Sequence, residues 1–244
     1  MTILCIETST SVCSAAVCRD GVPVKQYICR EGSNHAQLLP RYIEQLLDEA
    51  RRQGWRMDAV ALSEGPGSYT GLRIGTATAK GLCYGLSVPL IPIPTLDVLC
   101  ESVGEKYKGT MYNLQDAILV PMIDARRMEV YTDVQRSDVP CTKENRARAV
   151  VVESEESLMN LQRDDVPGTK EIYYFGDGAA KCRTVLTGER WHYLSDVVPE
   201  AQYMGALAEA ENALRLTGEK IAYYEPFYLK EFVAAPSHIK GLKS

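Results

Sequence analysis

The spacing of apolar residues divides the first hundred positions into predicted strands and helices. Five short apolar runs predict strands, at residues 3–6, 12–18, 22–29, 59–62 and 88–93. The dipeptide Asp20-Gly21 separates the second run from the third and is typical of a hairpin turn. The chain is therefore expected to open with an antiparallel meander and to continue as alternating helices and strands.

Apolar spacing of three and four residues predicts a first helix over residues 33–50. Its apolar face carries Ala36, Leu39, Ile43, Leu46, Leu47 and Ala50. Ser33 is the expected N-cap, because serine side chains accept hydrogen bonds from the first backbone amides of a helix. Pro40 either starts the helix or kinks an earlier first turn, and we expect the kink.

A second helix, over residues 71–86, is rich in small residues. They form two rows at four-residue steps: Gly71, Gly75, Ala79 and Cys83, and Ala77, Gly81 and Gly85. Glycine inside a helix costs about 1 kcal/mol relative to alanine, so the glycines indicate a need for close packing. That packing is either internal, against a sheet, or external, against a partner helix. A strand at 88–93 and a short helix to about residue 103 follow.

The segment GPGSYTGLRIG at residues 65–75 links the strand at 59–62 to this second helix. Its glycines can adopt positive φ and expose backbone amides at a helix N-terminus, where anions bind. The segment matches neither the P-loop pattern nor the dinucleotide pattern GxGxxG. Phosphate binding and close backbone packing are therefore both open as explanations.

The opening pattern returns after a polar segment at residues 105–114. A strand at 118–123, a polar turn at 124–127 and a strand at 128–134 place Asp124 where the first half has Glu7, at the end of a strand that leads into a hairpin. This repetition implies a duplicated βββαβα unit. Further predictions are a capped helix near Ser154, a strand at 172–175, a glycine turn at 176–180 before a helix, and a helix at 200–216 ended by Gly218. We expect Asp124 to form a surface ion pair with Arg126 or Arg127.

Composition excludes several classes of protein. The net charge of −5 and the lack of a basic face argue against nucleic-acid binding as a main role, and Arg146 with Arg148 is expected to be a solvated loop. No apolar run approaches the roughly 18 residues that span a bilayer, and no signal peptide is recognised, so we expect a cytoplasmic protein. The eight cysteines contain no CxxC pair and are expected to be reduced core residues.

Three motifs carry a resemblance to a known family: IETS at residues 6–9, LLP at 38–40 after His35, and the glycine-rich segment at 65–75. They resemble the bacterial TsaB (YeaZ) family, closely through residue 100 and more weakly in FGDGA at 175–179 and PFYLK at 226–230. The resemblance implies an α/β fold of the actin-like, Hsp70-like and sugar-kinase class. Its two halves are expected at 1–105 and 106–244, with the helix near 200–217 and the tail packing back on the first half.

The resemblance implies a role in making threonylcarbamoyladenosine at adenosine 37 of tRNA. The family is an accessory subunit that binds a catalytic paralogue of the same fold, the TsaD family, aided by a P-loop ATPase of the TsaE family. The chain alone is expected to form a homodimer. Contact between this chain and tRNA is expected to be indirect or minor, and no membrane is expected to be involved.

The site predictions follow from the same resemblance. The partner interface is expected on His35, Leu38, Leu39, Tyr42, Ile43, Leu46, Gly71, Ile74, Gly75, Thr78 and Leu82. A vestigial nucleotide or anion site is expected at Glu7, Thr8, Ser9, Gly65, Gly67, Ser68, Gly176 and Gly178. No cofactor is required, ATP or ADP is a candidate ligand at the interface of the complex, and whether nucleotide binds this chain or only the complex is open.

No catalytic or metal-binding residues are predicted. The catalytic paralogue carries an HxxxH metal motif, whereas here Leu39 stands four residues after His35. Kinases and ATPases of this fold class use an aspartate where this chain has Glu7, one methylene longer, which would misplace the carboxylate. An independent ATPase, kinase or metallopeptidase is the alternative function, and a stand-alone nucleotide-binding module is a third.

Overall fold

The computed structural model describes residues 1–30, 32, 34–110, 112, 114, 116–137, 146–161, 170–210 and 215–230. The first half contains β1 (Thr2–Glu7), β2 (Cys13–Arg19), β3 (Val22–Cys29), α1 (His35–Arg52), β4 (Ala59–Gly65), α2 (Tyr69–Leu86), β5 (Leu90–Pro94) and α3 (Thr95–Lys106). Its strands form one sheet in the order β3-β2-β1-β4-β5, with β1 antiparallel to β2 and parallel to β4. The predicted meander, strands and helices of this half are confirmed.

The second half is built on β6 (Ile118–Asp124), β7 (Glu129–Thr132), β8 (Gln135–Arg136), β9 (Arg148–Val151), β10 (Ile172–Phe175) and β11 (Trp191–Leu194). The helical segments are α4 (Glu156–Met159), a 3-10 helix at Ala180–Thr184, a 3-10 helix at Ala201–Tyr203, α5 (Met204–Ala210) and α6 (Glu219–Ala222). The sheet has the order β11-β10-β6-β7-β9, and β8 pairs with β6.

The two sheets have the same topology. β6, β7, β9, β10 and β11 occupy the places of β1, β2, β3, β4 and β5, with matching parallel and antiparallel neighbours. The predicted duplication is thereby confirmed for the strands. The helices differ, because four-residue α4 and a five-residue 3-10 helix stand where the first half has α1 and α2, each 18 residues long.

Each face of the first sheet is covered by helices. α1 and α2 pack on one face through Leu39, Ile43, Leu46 and Ala79. The other face packs against Val98 of α3 and against Ala201, Met204 and Ala208 from the second half. The rest of α3 joins the core of the second sheet. α3 and the segment 201–210 thus cross between the halves, and the division near residue 105 stays a prediction.

Several predicted elements near the C-terminus were wrong in detail. The helix predicted at 200–216 is a 3-10 turn followed by α5, and Leu216 exchanges two backbone hydrogen bonds with Leu90. The bridge to Leu90 of β5 thus determines the conformation of Leu216, although the apolar spacing there predicts a helix. Gly218, with φ of 56°, precedes α6 instead of ending a helix. Residues 211–214 and the tail after residue 230 lie outside the described residues.

Helix starts also differ from prediction. α1 begins at His35, before Pro40, as expected, but the predicted cap Ser33 lies outside the described residues. α2 begins at Tyr69, two residues early, because Ser68 caps it and accepts from the amide of Gly71 at 3.4 Å. The helix expected near Ser154 begins at Glu156, without a side-chain cap.

The cysteines lie where core residues are expected. Six of those described are buried and form no disulfide with another described residue: Cys5, Cys13, Cys18, Cys83, Cys100 and Cys182. Cys29 is partly exposed, and Cys141 lies outside the described residues.

Candidate functional site

The turn after β1 packs directly on the glycine-rich segment. The carbonyl of Ser9 accepts a hydrogen bond from the amide of Ser68 at 2.6 Å, and the hydroxyl of Thr8 donates to the carbonyl of Gly71 at 2.8 Å. A Cβ added at Gly67 would run into Ser9, and one at Gly71 or Gly75 into Thr8. Close backbone packing therefore explains these glycines, and anion binding at this segment stays a prediction.

Glu7 is fully buried at the end of β1. Its Oε1 accepts hydrogen bonds from the amide and the hydroxyl of Ser9, at 2.6 and 2.5 Å. Its Oε2 has no hydrogen-bond partner among the residues that the structure describes. Burial raises the pKa of Glu7, the contacts with Ser9 and Ser63 oppose that rise, and the negative charge of Asp177 adds to it. One carboxylate oxygen of Glu7 thus holds Ser9, and the other is unsatisfied among the described residues.

A second glycine turn repeats this arrangement after β10. A Cβ at Gly176 would meet the carbonyl of Met122, and one at Gly178 would meet the backbone of Ile123 and Asp124. The carboxylate of Asp177 accepts from the amide of Asp124 at 2.9 Å. The backbone of each glycine turn therefore packs closely against the end of the first strand of its own sheet.

The ion pair of Asp124 differs from prediction. Its carboxylate pairs with Lys181 of the 3-10 helix, whereas Arg126 contributes only a backbone amide, at 3.2 Å. Sequence proximity suggested the arginines, but both hold a positive φ, 72° for Arg126 and 49° for Arg127. The true partner is 57 positions away, so no local pattern could have identified it.

Glu7 and Asp177 mark the junction of the two glycine turns, where the charge of Asp177 adds to the rise that burial causes in the pKa of Glu7. Burial is also the main cause that raises the pKa of Asp177, although the residue keeps an exposed surface. Asp124 is already paired with Lys181. Within the described ranges no three acidic, histidine or cysteine side chains are arranged to hold a metal ion. This donor set falls short of a resident metal centre.

The predicted partner surface divides into buried and accessible residues. His35, Leu39, Ile43, Leu46, Gly71 and Gly75 are buried within the chain's own fold. Leu38, Tyr42, Ile74, Thr78 and Leu82 are partly buried. The buried six belong to the core of this chain, because their row on each helix faces the sheet. Whether the accessible remainder binds a partner stays a prediction.

His35 has a structural contact of its own. Its Nε2 lies 3.0 Å from the carbonyl of Thr10 and 3.2 Å from that of Val12. Both contacts are to acceptors, so Nε2 carries the proton. His35 thereby holds the start of α1 against the turn that follows Glu7.

The outward face of α2 carries exposed residues that lie outside the predicted interface. A Cβ at Gly81 or Gly85 would meet no atom of the described residues within 4 Å, and Tyr84 is 91% exposed. Ala77 continues this outer row. The row was visible in the sequence as a second set of small residues, but spacing alone could not tell which row faces the sheet.

No helix in the described part of the chain is both long and apolar enough to cross a membrane.

Comparisons with known proteins agree with this architecture. A family model described as TsaD, tRNA N6-adenosine threonylcarbamoyltransferase, matches residues 30–235. The tRNA threonylcarbamoyladenosine biosynthesis protein TsaB of Haemophilus influenzae is 30% identical over 96% of this chain and 95% of its own. The protein of the same name from Bacillus subtilis is 32% identical over 54% of each chain.

A solved structure shows the same fold. YeaZ from Pseudomonas aeruginosa superposes with a TM-score of 0.71 at 24% identity, covering 93% of this chain and 99% of that one. The two sheets of like topology confirm the predicted α/β class with two similar halves. The family match and the nearly full-length relative show that this chain belongs to the TsaB family of tRNA threonylcarbamoyladenosine biosynthesis proteins.

Proposed function

We propose that this chain is a non-catalytic accessory subunit that binds and activates a catalytic paralogue of the TsaD family for threonylcarbamoyl transfer to adenosine 37 of tRNA. The observation that carries the proposal is the outward face of α2, formed by Ala77, Gly81, Tyr84 and Gly85. Small residues on an exposed helix let a second helix approach closely, and an exposed tyrosine is typical of an interface anchor. α1 and α2 are neighbours, and we propose that together they supply two of the four helices in the contact with the paralogue.

The junction of the glycine turns supports an accessory role over catalysis. An ATPase or kinase would need an ionised acid free to hold magnesium. Burial raises the pKa of Glu7, and Ser9 occupies one of its oxygens. Asp124, its counterpart in the second half, pairs with Lys181. The junction therefore favours structural use of these acids, and the alternative of an independent ATPase, kinase or metallopeptidase gains no support from it.

Further members of the assembly follow from the family. We propose a P-loop ATPase of the TsaE family as the second protein partner and ATP or ADP as a ligand of the assembled interface. The chain alone is proposed to pair with a second copy through the same α1 and α2 surface, because exposed apolar and small-residue faces seldom stay bare. We place the assembly in the cytoplasm.

The test is reconstitution of tRNA modification. Threonylcarbamoyladenosine is measured on unmodified tRNA with the paralogue, the ATPase and the enzyme that supplies threonylcarbamoyl-adenylate, with and without this chain. We expect product only when this chain is present and none from this chain alone. Full activity in its absence would overturn the accessory role.

A matched pair of glycine variants tests the surface. Gly81 in α2 and Gly104 in α3 are both helical, and a Cβ at either would meet no atom within 4 Å. Leucine at either position should fold and gain about 0.8 kcal/mol of helix propensity. Gly81→Leu should abolish binding to the paralogue and activation, whereas Gly104→Leu should leave both unchanged. Equal binding by the two variants would place the partner elsewhere.

A further inference from the structure

A set of cationic and tyrosine side chains runs along the surface from α2 to the turn between β6 and β7. It consists of Tyr69, Arg73, Arg126, Arg127, Tyr131, Tyr228 and Lys230. We call it the arginine–tyrosine track. These residues come from three separate parts of the chain, so their clustering is a feature of the fold and not of one basic segment.

One end of the track is built on α2. The rings of Tyr69 and Tyr228 lie 4.9 Å apart, and the guanidinium of Arg73 lies 5.5 Å from the centre of the Tyr69 ring. Arg73 also donates to the hydroxyl of Tyr69 at 3.1 Å. Residue 228 is held there because the amide of Phe227 donates to the carbonyl of Glu64 at 2.8 Å. The exposed Arg73 is thus presented on an aromatic support.

The other end is built on the hairpin of the second half. Lys230 pairs with Glu129, whose amide donates to the carbonyl of Arg126 at 3.0 Å. Burial and the negative charge of Glu129 raise the pKa of Tyr131, and the positive charges of Lys230 and Arg126 oppose that rise. Because Lys230 is two residues from Tyr228, the two ends form one continuous surface.

The arginines at the hairpin tip are unusual in conformation. Arg126 and Arg127 are consecutive non-glycine residues with φ of 72° and 49°. Left-handed backbone costs a residue with a Cβ about 1 kcal/mol relative to glycine, and asparagine tolerates it better. Both arginines are exposed. Local stability therefore does not explain the choice of arginine at this tip.

The track itself carries four cations and no acid: Arg73, Arg126, Arg127 and Lys230. Among the described residues, no carboxylate lies within 4.0 Å of the guanidinium groups of Arg73, Arg126 or Arg127. Two acids nearby are paired, Glu129 with Lys230 and Asp124 with Lys181. Three further acids flank the track: the exposed Glu225 close to Tyr228, Glu64, whose carbonyl accepts from Phe227, and Asp177, which accepts from the amide of Asp124. The three arginines thus have no ion-pair partner among the described residues, on a protein whose net charge is −5.

We infer that the arginine–tyrosine track binds RNA as a single-stranded or looped segment, its arginines on phosphates and its tyrosines beside bases. Cations interleaved with aromatic side chains suit this ligand, since phosphates need positive charge and unpaired bases stack on rings. An acidic protein partner would need the arginines but not the tyrosines. The choice of tRNA as the RNA rests on the proposed function. The track gives this chain a direct contact with that substrate, in place of the minor contact expected from charge alone.

The test uses the full-length chain and a fluorescently labelled, unmodified tRNA transcript, with anisotropy read across a salt series. Arg126→Gly combined with Arg127→Asn relieves the left-handed backbone while removing two charges, so the fold should be at least as stable as the parent. We expect affinity to fall about tenfold and the slope of log affinity against log salt to lose about 1.4, at roughly 0.7 for each phosphate contact.

The matched control removes the same charge elsewhere. Arg51→Gln with Arg52→Gln changes exposed residues at the end of α1, which pair with Asp48 and Glu49. This variant should bind tRNA like the parent. Equal losses of tRNA affinity in the two double variants would mean that only net charge matters and would overturn the inference. An affinity that neither variant changes would overturn it as well.

Two further outcomes separate this inference from the proposed function. Poly-L-glutamate in place of tRNA probes an acidic protein partner, and binding of that polymer but not of tRNA would overturn the RNA assignment. Failure of the parent chain to bind tRNA, with the reconstituted modification still dependent on the chain, would overturn the track and leave the accessory role standing.

Discussion

The hydroxyl of Thr8 donates a hydrogen bond to the carbonyl oxygen of Gly71 over 2.8 Å and so ties the end of the first strand to the first turn of α2. Contact this close leaves no room for a Cβ at Gly71, because it would overlap the carbonyl of Thr8. Gly81, one row away on the same helix, has open space around it.

Gly71→Ala and Gly81→Ala should therefore change stability in opposite directions. We expect Gly71→Ala to lower the free energy of unfolding by about 2 kcal/mol or more, through the overlap with backbone. Gly81→Ala should raise it by up to about 1 kcal/mol through helix propensity. Urea unfolding followed by circular dichroism measures both, and the same sign for both variants would contradict the packing.

The buried carboxyl of Glu7 should make stability fall with rising pH. Burial raises its pKa above the ordinary value of 4.5, so the folded state keeps a proton that the unfolded state has lost. Between pH 4.5 and the pKa of Glu7 in the folded state, the free energy of unfolding of the protein should fall by about 1.4 kcal/mol for each pH unit.

Glu7→Gln cannot ionise, so its stability relative to the parent should grow through that window and level off above it. Urea unfolding from pH 4 to pH 8 measures the difference, with Glu44→Gln on the exposed surface of α1 as the control. An advantage of Glu7→Gln that shrinks as pH rises would show that the carboxylate is stabilised when charged.

Glu200 should contribute strongly to joining the halves. It is buried and accepts hydrogen bonds from Arg30 at 2.5 Å, Gln26 at 2.9 Å and Gln202 at 2.8 Å. Glu200→Ala leaves these donors without their acceptor, and we expect a loss of about 1.5–3 kcal/mol in the free energy of unfolding. Asp48→Ala, which breaks the exposed pair with Arg51, should cost about 0.5 kcal/mol or less.

The buried thiols should react slowly with alkylating agents. Burial, with the nearby Cys29 and Glu7, raises the pKa of Cys13 to about 11, and burial raises that of Cys83 to about 12. At pH 8 their thiolate fractions are about one in a thousand and one in ten thousand. Iodoacetamide labelling read by mass spectrometry should modify the partly exposed Cys29 before the six buried cysteines, and all eight cysteines in denaturant. Rapid labelling of Cys13 or Cys83 in the folded protein would contradict their burial.

Tyr84 should matter for binding and not for stability. Its side chain is 91% exposed, so Tyr84→Ala should change the free energy of unfolding by about 0.5 kcal/mol or less. Binding to the catalytic paralogue, measured by calorimetry, should weaken at least tenfold if the tyrosine is a central anchor. Val22→Ala, an exposed apolar change on β3, is the control and should bind like the parent.

Local patterns predicted the first half well because the spacing of apolar residues in its strands and long helices matches the period of each kind of element. The glycines of the segment at 65–75 left phosphate binding and close packing both open, and the overlaps that a Cβ would meet at Gly67, Gly71 and Gly75 support close packing. The row of small residues that faces the sheet is the one that contacts Thr8, some sixty positions earlier. The spacing of residues within α2 cannot reveal a contact with so distant a residue. The partner of Asp124 and the pairing of Leu216 with Leu90 are likewise long-range contacts, so both were predicted wrongly.

The shortening of the helices in the second half limits what this molecule can assemble into. A duplicated chain with two full helix pairs would offer a docking surface at either end and could extend into a filament. Here the described counterparts of α1 and α2 are only four and five residues long. The described second half offers no second surface of that kind to a partner that docks on the long helices, and we therefore expect assembly through that surface to end in a closed pair.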